Sequence, residues 1–227
     1  HYGDYTFETI DLKGHTFGQL GLFDKEHKIF FCADQVIDGI VPIVATTYPD
    51  EHLLRDNFVS EYEKGRTPNP CIVCNRYVKW EALLEKALAL GADYIATGHY
   101  ARIVHLPNGR YAIEKAAFDR KDQTYALYNL NQHQLAHTLM PVGAYDKSEV
   151  RRIAGEIGLS VANKMDSQDI CFVVNGKYSD FIEQYREKTY PEGDFVDLEG
   201  NVLGRHKGII RYTIGQRKGL GLSLKES

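Results

Sequence analysis

The stretch TPNPCIVCNRYVKWEALLEKALALGADYIATGH, residues 67–99, decides the fold. In Thr67-Pro68-Asn69-Pro70 the two prolines fix φ and push the residues before them out of helical conformation, so a rigid turn delivers Cys71. Tyr77, Trp80, Leu84, Ala87 and Leu88 then recur at helical spacing on one face, and Gly91 closes that helix. The apolar run Tyr94-Ile95-Ala96-Thr97 reads as a strand leading into Gly98-His99. Helix followed by strand makes an αβ unit, with Gly98 at the strand's carboxyl end, where open α/β sheets usually bind ligands.

Working outward, Leu53, Leu54, Phe58, Val59 and Tyr62 predict an earlier helix closed by Gly65. Before it, Asp34 to Asp50 is a loop containing Gly39, Pro42 and Pro49, and a junction is placed near residues 45–50. The first 46 residues alternate as strands (YTFETIDL, GQLGLFD, HKIFFCA), the last two joined by the turn Asp24-Lys25-Glu26, and read as a short β meander. Downstream, ARIVHL and RYAIEKA form a hairpin turned by Pro107-Asn108-Gly109 and run into Lys121-Asp122-Gln123. Asp146 with Glu149 resembles a capping box for a helix bearing Val150, Ile153, Ala154 and Ile157, stopped by Gly158. A further helix is expected from Tyr178 to Glu187, and the tail has the short strands and turn glycines of a small β domain.

With 227 residues, 43% hydrophobic and 26% charged, the chain can bury a sizeable core and is too apolar for a disordered class. No apolar run reaches bilayer length, and the start HYGDYTFE lacks a secretory pattern, so no membrane partner and a cytoplasmic location are expected. The net charge of −4 lies entirely in residues 1–46, which hold seven acids and three bases; the remainder is neutral. Within that remainder, Asn201 to Leu220 contains Arg205, Lys207, Arg211, Arg217 and Lys218 and no acid, a local basic face suited to phosphates.

Four cysteines are too few for a disulfide scaffold, and Cys71-x-x-Cys74 in a reducing compartment points to metal or redox work. Cys74, near a helix start, has a dipole that favours a thiolate, the nucleophile of sulfur transfer. The competing reading of the pair is a metal knuckle, which needs two further ligands, and no second C-x-x-C exists. Cys32, in an apolar strand, reads as a buried structural cysteine. Cys171 lies far away in sequence, so any pairing with Cys74 is spatial.

Five blocks in order, GRTPNPCIVCNRYVKWEALL, GADYIATGHYARI, KDQTYALYNL, MDSQDICFV and HKGIIRYTIGQRKGLGLS, resemble the tRNA-specific 2-thiouridylase family over about residues 51–227. The resemblance implies an α/β fold. An incomplete adenine-nucleotide α-hydrolase-like (PP-loop ATPase) domain over 51–190 is followed by a small, truncated β tRNA-binding domain over 191–227, and the meander of 1–46 precedes both. It implies that ATP, with Mg, activates the C2 oxygen of the tRNA wobble uridine, which persulfide sulfur then replaces. Cys171 matches the persulfide carrier and Cys74 the cysteine that attacks it and is left in a disulfide. Asn69, Pro70 and Cys71 match the loop around the target base, Gly98 an ATP contact, and Lys121, Asp122 and Gln123 a tRNA contact. The partners implied are tRNA and a sulfur-donor protein of a cysteine desulfurase relay.

Three departures qualify the match. Many relatives carry aspartate at the position of Cys71; with cysteine there, Cys71, Cys74 and Cys171 can hold an iron–sulfur cluster, the alternative mechanism. The glycine- and serine-rich phosphate loop (Ser-Gly-Gly-x-Asp-Ser) is absent, so ATP binding is expected to be weak and a catalytically inactive tRNA-binding fragment is the other alternative. The family's C-terminal β-barrel is not expected in this chain. Residues 1–46 resemble instead part of a metallo-β-lactamase fold, with His15 and Asp34 at two metal positions but no His-x-His-x-Asp-His cluster. This suggests a joined or truncated product with a vestigial metal site.

Overall fold

The computed structural model describes residues 6–11, 20–31, 53–159, 170, 172, 173 and 177–222. By packing the chain divides into two units, neither continuous in sequence: residues 1–51 with 71–168, and residues 52–70 with 169–227.

The first unit is built on a five-stranded sheet in the order β1-β2-β3-β4-β7. Strands β1 (Phe7–Asp11), β2 (Leu20–Asp24) and β3 (Ile29–Phe31) are antiparallel neighbours. The turn between β2 and β3 is organised by Asp24, whose carboxylate accepts from the N–H groups of Glu26 and His27 at 3.1 Å each. Strand β3 then pairs in parallel with β4 (Tyr94–Ala96), Phe30 opposite Ile95. The early strands therefore share a sheet with the αβ unit, because Phe23 and Phe30 need the same apolar cover that Trp80, Leu84 and Ile95 need. β4 pairs on its other side with β7 (Thr138–Leu139), also in parallel.

One helical run covers this sheet: α2 (Pro70–Val73), a π-helical stretch (Cys74–Leu83) and α3 (Leu84–Ala89) follow without a break, since Val73 and Leu84 both keep helical dihedrals. The buried stripe Cys74, Val78, Leu83, Ala87 advances by four, five and four residues, and the step of five is what the wider i→i+5 turn produces. Proline at the first helical position leaves no N–H to satisfy. Gly91, at φ 91°, ends the run as expected.

The hairpin β5 (Ala101–His105) and β6 (Tyr111–Lys115) pairs as the sequence predicts, with Gly109 at φ 79° in its turn. Helix α4 (Gln132–Ala136) carries a capping box that sequence reading missed: Asn131 accepts from the Gln134 N–H at 2.9 Å, and Gln134 Oε1 accepts from the Asn131 N–H at 3.0 Å. At α5 (Lys147–Glu156), Asp146 accepts from the N–H of Ser148 at 2.8 Å, while Glu149 turns to Arg152 instead of completing a box.

The second unit gathers α1 (Leu53–Glu63), α6 (Tyr178–Arg186) and the antiparallel pair β8 (Gly193–Val196) and β9 (Val202–His206). Its interior is aromatic: Phe58 meets Phe172 edge-on at 5.3 Å between ring centres, and Tyr62 stacks on Tyr178 at 4.7 Å. No helix among the described residues is long and apolar enough to cross a membrane.

Candidate functional site

Within the first unit, three segments are linked in series by hydrogen bonds, the cysteine helix to the loop after the hairpin and that loop to the exit of β4. The first is the helix start. Cys71 is exposed in its first turn, and Cys74, one turn on, is 7% exposed; both are thiols. The helix thus begins at Pro70, so Cys71 rather than Cys74 lies in the first turn, where unpaired N–H groups concentrate. Asn69 precedes it, exposed.

The second segment is the strand exit Thr97-Gly98-His99-Tyr100. Gly98 is exposed between two buried residues. The Thr97 hydroxyl and His99 Nδ1 lie 3.0 Å apart, and the His99 ring sits 5.3 Å from that of Trp80. Trp80 in turn donates its indole N–H to the Thr138 hydroxyl at 2.7 Å, locking helix to sheet.

The third is the loop after the hairpin. Lys121 is exposed at the end of a 3-10 turn, Asp119–Lys121. Asp122 and Gln123 face the loop itself. One carboxylate oxygen of Asp122 accepts from the Ala116 N–H at 2.9 Å and the other from the N–H and hydroxyl of Thr124. Burial pushes this carboxyl up, but those donors, with Lys115 nearby, outweigh it and hold it below its ordinary value. Gln123 pairs twice with Tyr100: its N–H donates to the Tyr100 carbonyl and its side-chain oxygen accepts the Tyr100 N–H, each at 2.9 Å. The loop is also tied to the cysteine helix. Buried Asn75 donates its amide to the carbonyl of Ala126 at 3.0 Å. Sequence reading missed Asn75; a polar side chain beside Cys74 on the buried stripe was the available signal.

The second unit carries the basic stretch. Arg205, Lys207, Arg217 and Lys218 are exposed, but Arg211 is engaged: its guanidinium makes two 2.8 Å bonds to Glu183 and one of 3.1 Å to Ser179. In the same unit, Arg66 grips Glu61 with two guanidinium nitrogens, and the Thr67 hydroxyl accepts the N–H of Ile214 at 3.0 Å. These bonds hold the chain just before the Pro68-Asn69-Pro70 turn. Arg66, with help from Lys64 and against partial burial, draws the Glu61 carboxyl down to about 2.

Cys171 lies outside the described residues, as do Cys32, His15 and Asp34. Its neighbour Phe172 is buried in the second unit against Phe58 and Phe181. Among the described residues no group of three His, Cys, Asp or Glu side chains is placed to hold a metal ion, and a set including Cys171 falls outside them. The residues present fit ATP only in part: Gly98 lies open at the sheet's carboxyl end, while the sequence has no serine-glycine cradle for the phosphates.

Over residues 41–175 the chain matches the family model described as tRNA methyl transferase HUP domain, and over residues 179–227 the one described as tRNA methyl transferase PRC-barrel domain. The resemblance of residues 1–46 to a metallo-β-lactamase fold finds no support in these matches. The chain is 68% identical over 169 residues to the tRNA-specific 2-thiouridylase MnmA of Lachnoclostridium phytofermentans, covering 74% of this chain and 47% of that protein. Against the protein of the same name from Clostridium acetobutylicum it is 55% identical over 185 residues, 81% of this chain and 52% of that protein. Against that of Acetivibrio thermocellus it is 54% identical over 187 residues, with the same coverage of 81% and 52%. The chain spans about half the length of the curated relatives it matches. The first family model covers more than half of this chain, and the chain belongs to its family, that of the tRNA methyl transferase HUP domain and of the tRNA-specific 2-thiouridylases that its five ordered motifs resemble.

Proposed function

We propose that this chain carries the sulfur-transfer and tRNA-docking part of a tRNA uridine 2-sulfurtransferase. The observation that carries the reading is the cysteine helix: a rigid Pro68-Asn69-Pro70 turn presents Cys71 at the surface, sets Cys74 one turn behind it, and lies bonded through Asn75 to the loop of Lys121. The relatives named for tRNA 2-thiouridylation support it.

In this reading a sulfur-donor protein loads Cys171 as a persulfide. The Cys74 thiolate then attacks the inner sulfur, the S–S bond to the terminal sulfur breaks, and a Cys74–Cys171 disulfide forms. The electron pair leaves with the terminal sulfur, which replaces the activated C2 oxygen of the wobble uridine. A thiol reductant reopens the disulfide before the next round. Asn69, Pro70 and Cys71 border the base, which must leave its stack to present C2. Lys121 of the first unit, and Arg205, Lys207, Arg217 and Lys218 of the second, meet phosphates. Asp122, Gln123 and Arg211 serve through the structure they hold. ATP, with Mg, would supply the activating adenylate, with which the displaced C2 oxygen leaves; Gly98 is the residue of this chain that would contact it.

The test is complementation. Cells lacking their own wobble-uridine thiolation receive a full-length protein that carries these residues behind a phosphate loop, with Cys74→Ser or Cys171→Ser. Mass spectrometry of the tRNA nucleosides should find 2-thiouridine with the parent and none with either variant. Retained 2-thiouridine in either variant rejects the relay.

A further inference from the structure

The loop at Lys121 turns its chemistry inside out. Two of its polar side chains, Asp122 and Gln123, are taken up by Ala116, Thr124 and Tyr100. The small and aliphatic residues Ala126 and Leu127 are buried, Leu127 completely. Two rings of the loop face water: Tyr125 is 61% exposed and Tyr128 68%. Folding spends the loop's hydrogen bonds on rigidity and leaves two rings in solvent, where neither contributes much burial to stability.

Three cations, Arg120, Lys121 and Lys147, stand in and around this loop, with Asp119 and Asp146 among them. Arg120 and Lys121 precede the tyrosines in the same loop. Arg120 acts electrostatically on Asp146 at the start of α5, and the next residue, Lys147, sets its ammonium 5.5 Å from the centre of the Tyr100 ring. Exposed rings on a pinned loop, beside cations, are what unpaired nucleotides require: a face for each base and charge for the backbone. A paired helix offers no free base face, so the rings favour unpaired nucleotides over a duplex. The rigidity also lowers the entropy lost on binding.

We propose that Tyr125 and Tyr128 form a stacking platform for unpaired bases of an RNA loop, held in place by Asp122, Gln123 and Asn75 as positioning residues. This rests on the reading of the chain as an RNA-binding enzyme and adds which residues grip the loop.

The experiment measures the affinity of the 227-residue chain for a fluorescent RNA hairpin with an unpaired loop, and for a blunt RNA duplex of equal length. Tyr125→Ala and Tyr128→Ala should each weaken hairpin binding by about five- to a hundredfold and leave duplex binding and thermal unfolding unchanged. The Tyr→Phe variants should bind like the parent, because stacking does not need the hydroxyl. Asp122→Ala should weaken hairpin binding and, combined with Tyr125→Ala, add little further loss, since both act through one platform. If the parent binds the hairpin and both alanine variants bind it equally well, the platform is wrong while the RNA reading stands. If the parent binds no RNA hairpin at all, both fall together.

Discussion

The side-chain amide of Asn75 donates to the carbonyl of Ala126 across 51 positions of sequence, 3.0 Å away in a buried setting, and so fastens the Lys121 loop to the helix that carries Cys74. Removing the donor leaves a buried carbonyl without its partner, a loss of about 1–3 kcal/mol. Asn75→Ala should lower stability by that amount, and Asn75→Asp by more, since a carboxylate cannot donate and would be buried facing a carbonyl. Chemical denaturation followed by the fluorescence of the single tryptophan, Trp80, measures both. Unchanged midpoints would remove the fastening role.

Arg211 and Arg217 belong to one basic stretch in the sequence but have different duties. Arg211 is 31% exposed and holds Glu183 with two bonds of 2.8 Å, tying the 3-10 turn Ile209–Arg211 to α6. Arg211→Ala should cost on the order of 1–2 kcal/mol, between the values of exposed and buried pairs. Arg217→Ala should leave stability unchanged and flatten the salt dependence of RNA binding by roughly one phosphate contact. The two effects, measured by denaturation and by a salt titration of RNA affinity, should not exchange places.

The difference between these arginines shows where the sequence was readable. Periodicity located α1 and the cysteine helix, because each buries an apolar face that recurs at a fixed spacing, while a short apolar run marked β4 and the Pro107-Asn108-Gly109 turn marked the hairpin. Periodicity did not reveal that Cys74–Leu83 widens to a π-helix, since a single five-residue step is lost among four-residue ones. Nor did it reveal that β3 runs beside β4, because parallel pairing between distant segments leaves no local mark. Of the candidate residues, Cys71 and Cys74 stood out by residue type and spacing and Gly98 by its place after a strand, whereas Lys121 was singled out only through the family resemblance. Asn75 and the inward turn of Asp122 and Gln123 did not stand out, because a hydrogen-bond partner dozens of residues away is a property of the folded chain.

Glu61 provides a pH test of the turn before Cys71. Its ordinary value of 4.5 falls to about 2 in the folded chain, chiefly through Arg66. A carboxyl whose folded value is depressed stabilises fully above its unfolded value and loses that contribution as pH falls through the folded one. Stability should therefore decline from about pH 4.5 toward pH 2, and Glu61→Gln should make that decline shallower while lowering stability at neutral pH. Urea midpoints across this range decide it. An identical acid slope in the parent and the glutamine variant would mean that the Arg66 pair does not govern it.

Gly143 sets how closely the hairpin can approach the turn Pro141–Ala144. A Cβ added there would lie 1.8 Å from the carbonyl oxygen of Ala101, and that oxygen is backbone and cannot rotate aside. The Gly143 carbonyl also accepts the N–H of Ala117 at 2.9 Å, at the entry to the Lys121 loop. Forcing the two segments apart therefore disturbs both packing and loop. Gly143→Ala should destabilise by about 3 kcal/mol, the upper range of overpacking, whereas Gly155→Ala, where an added Cβ meets nothing within 4 Å, should be neutral or stabilising in its helix. Amide exchange should locate the damage: Ala117 and Gln123 lose protection in the first variant and keep it in the second. Equal stability of the two variants would show that the hairpin is free to shift, and the close approach at Ala101 would then have no structural role.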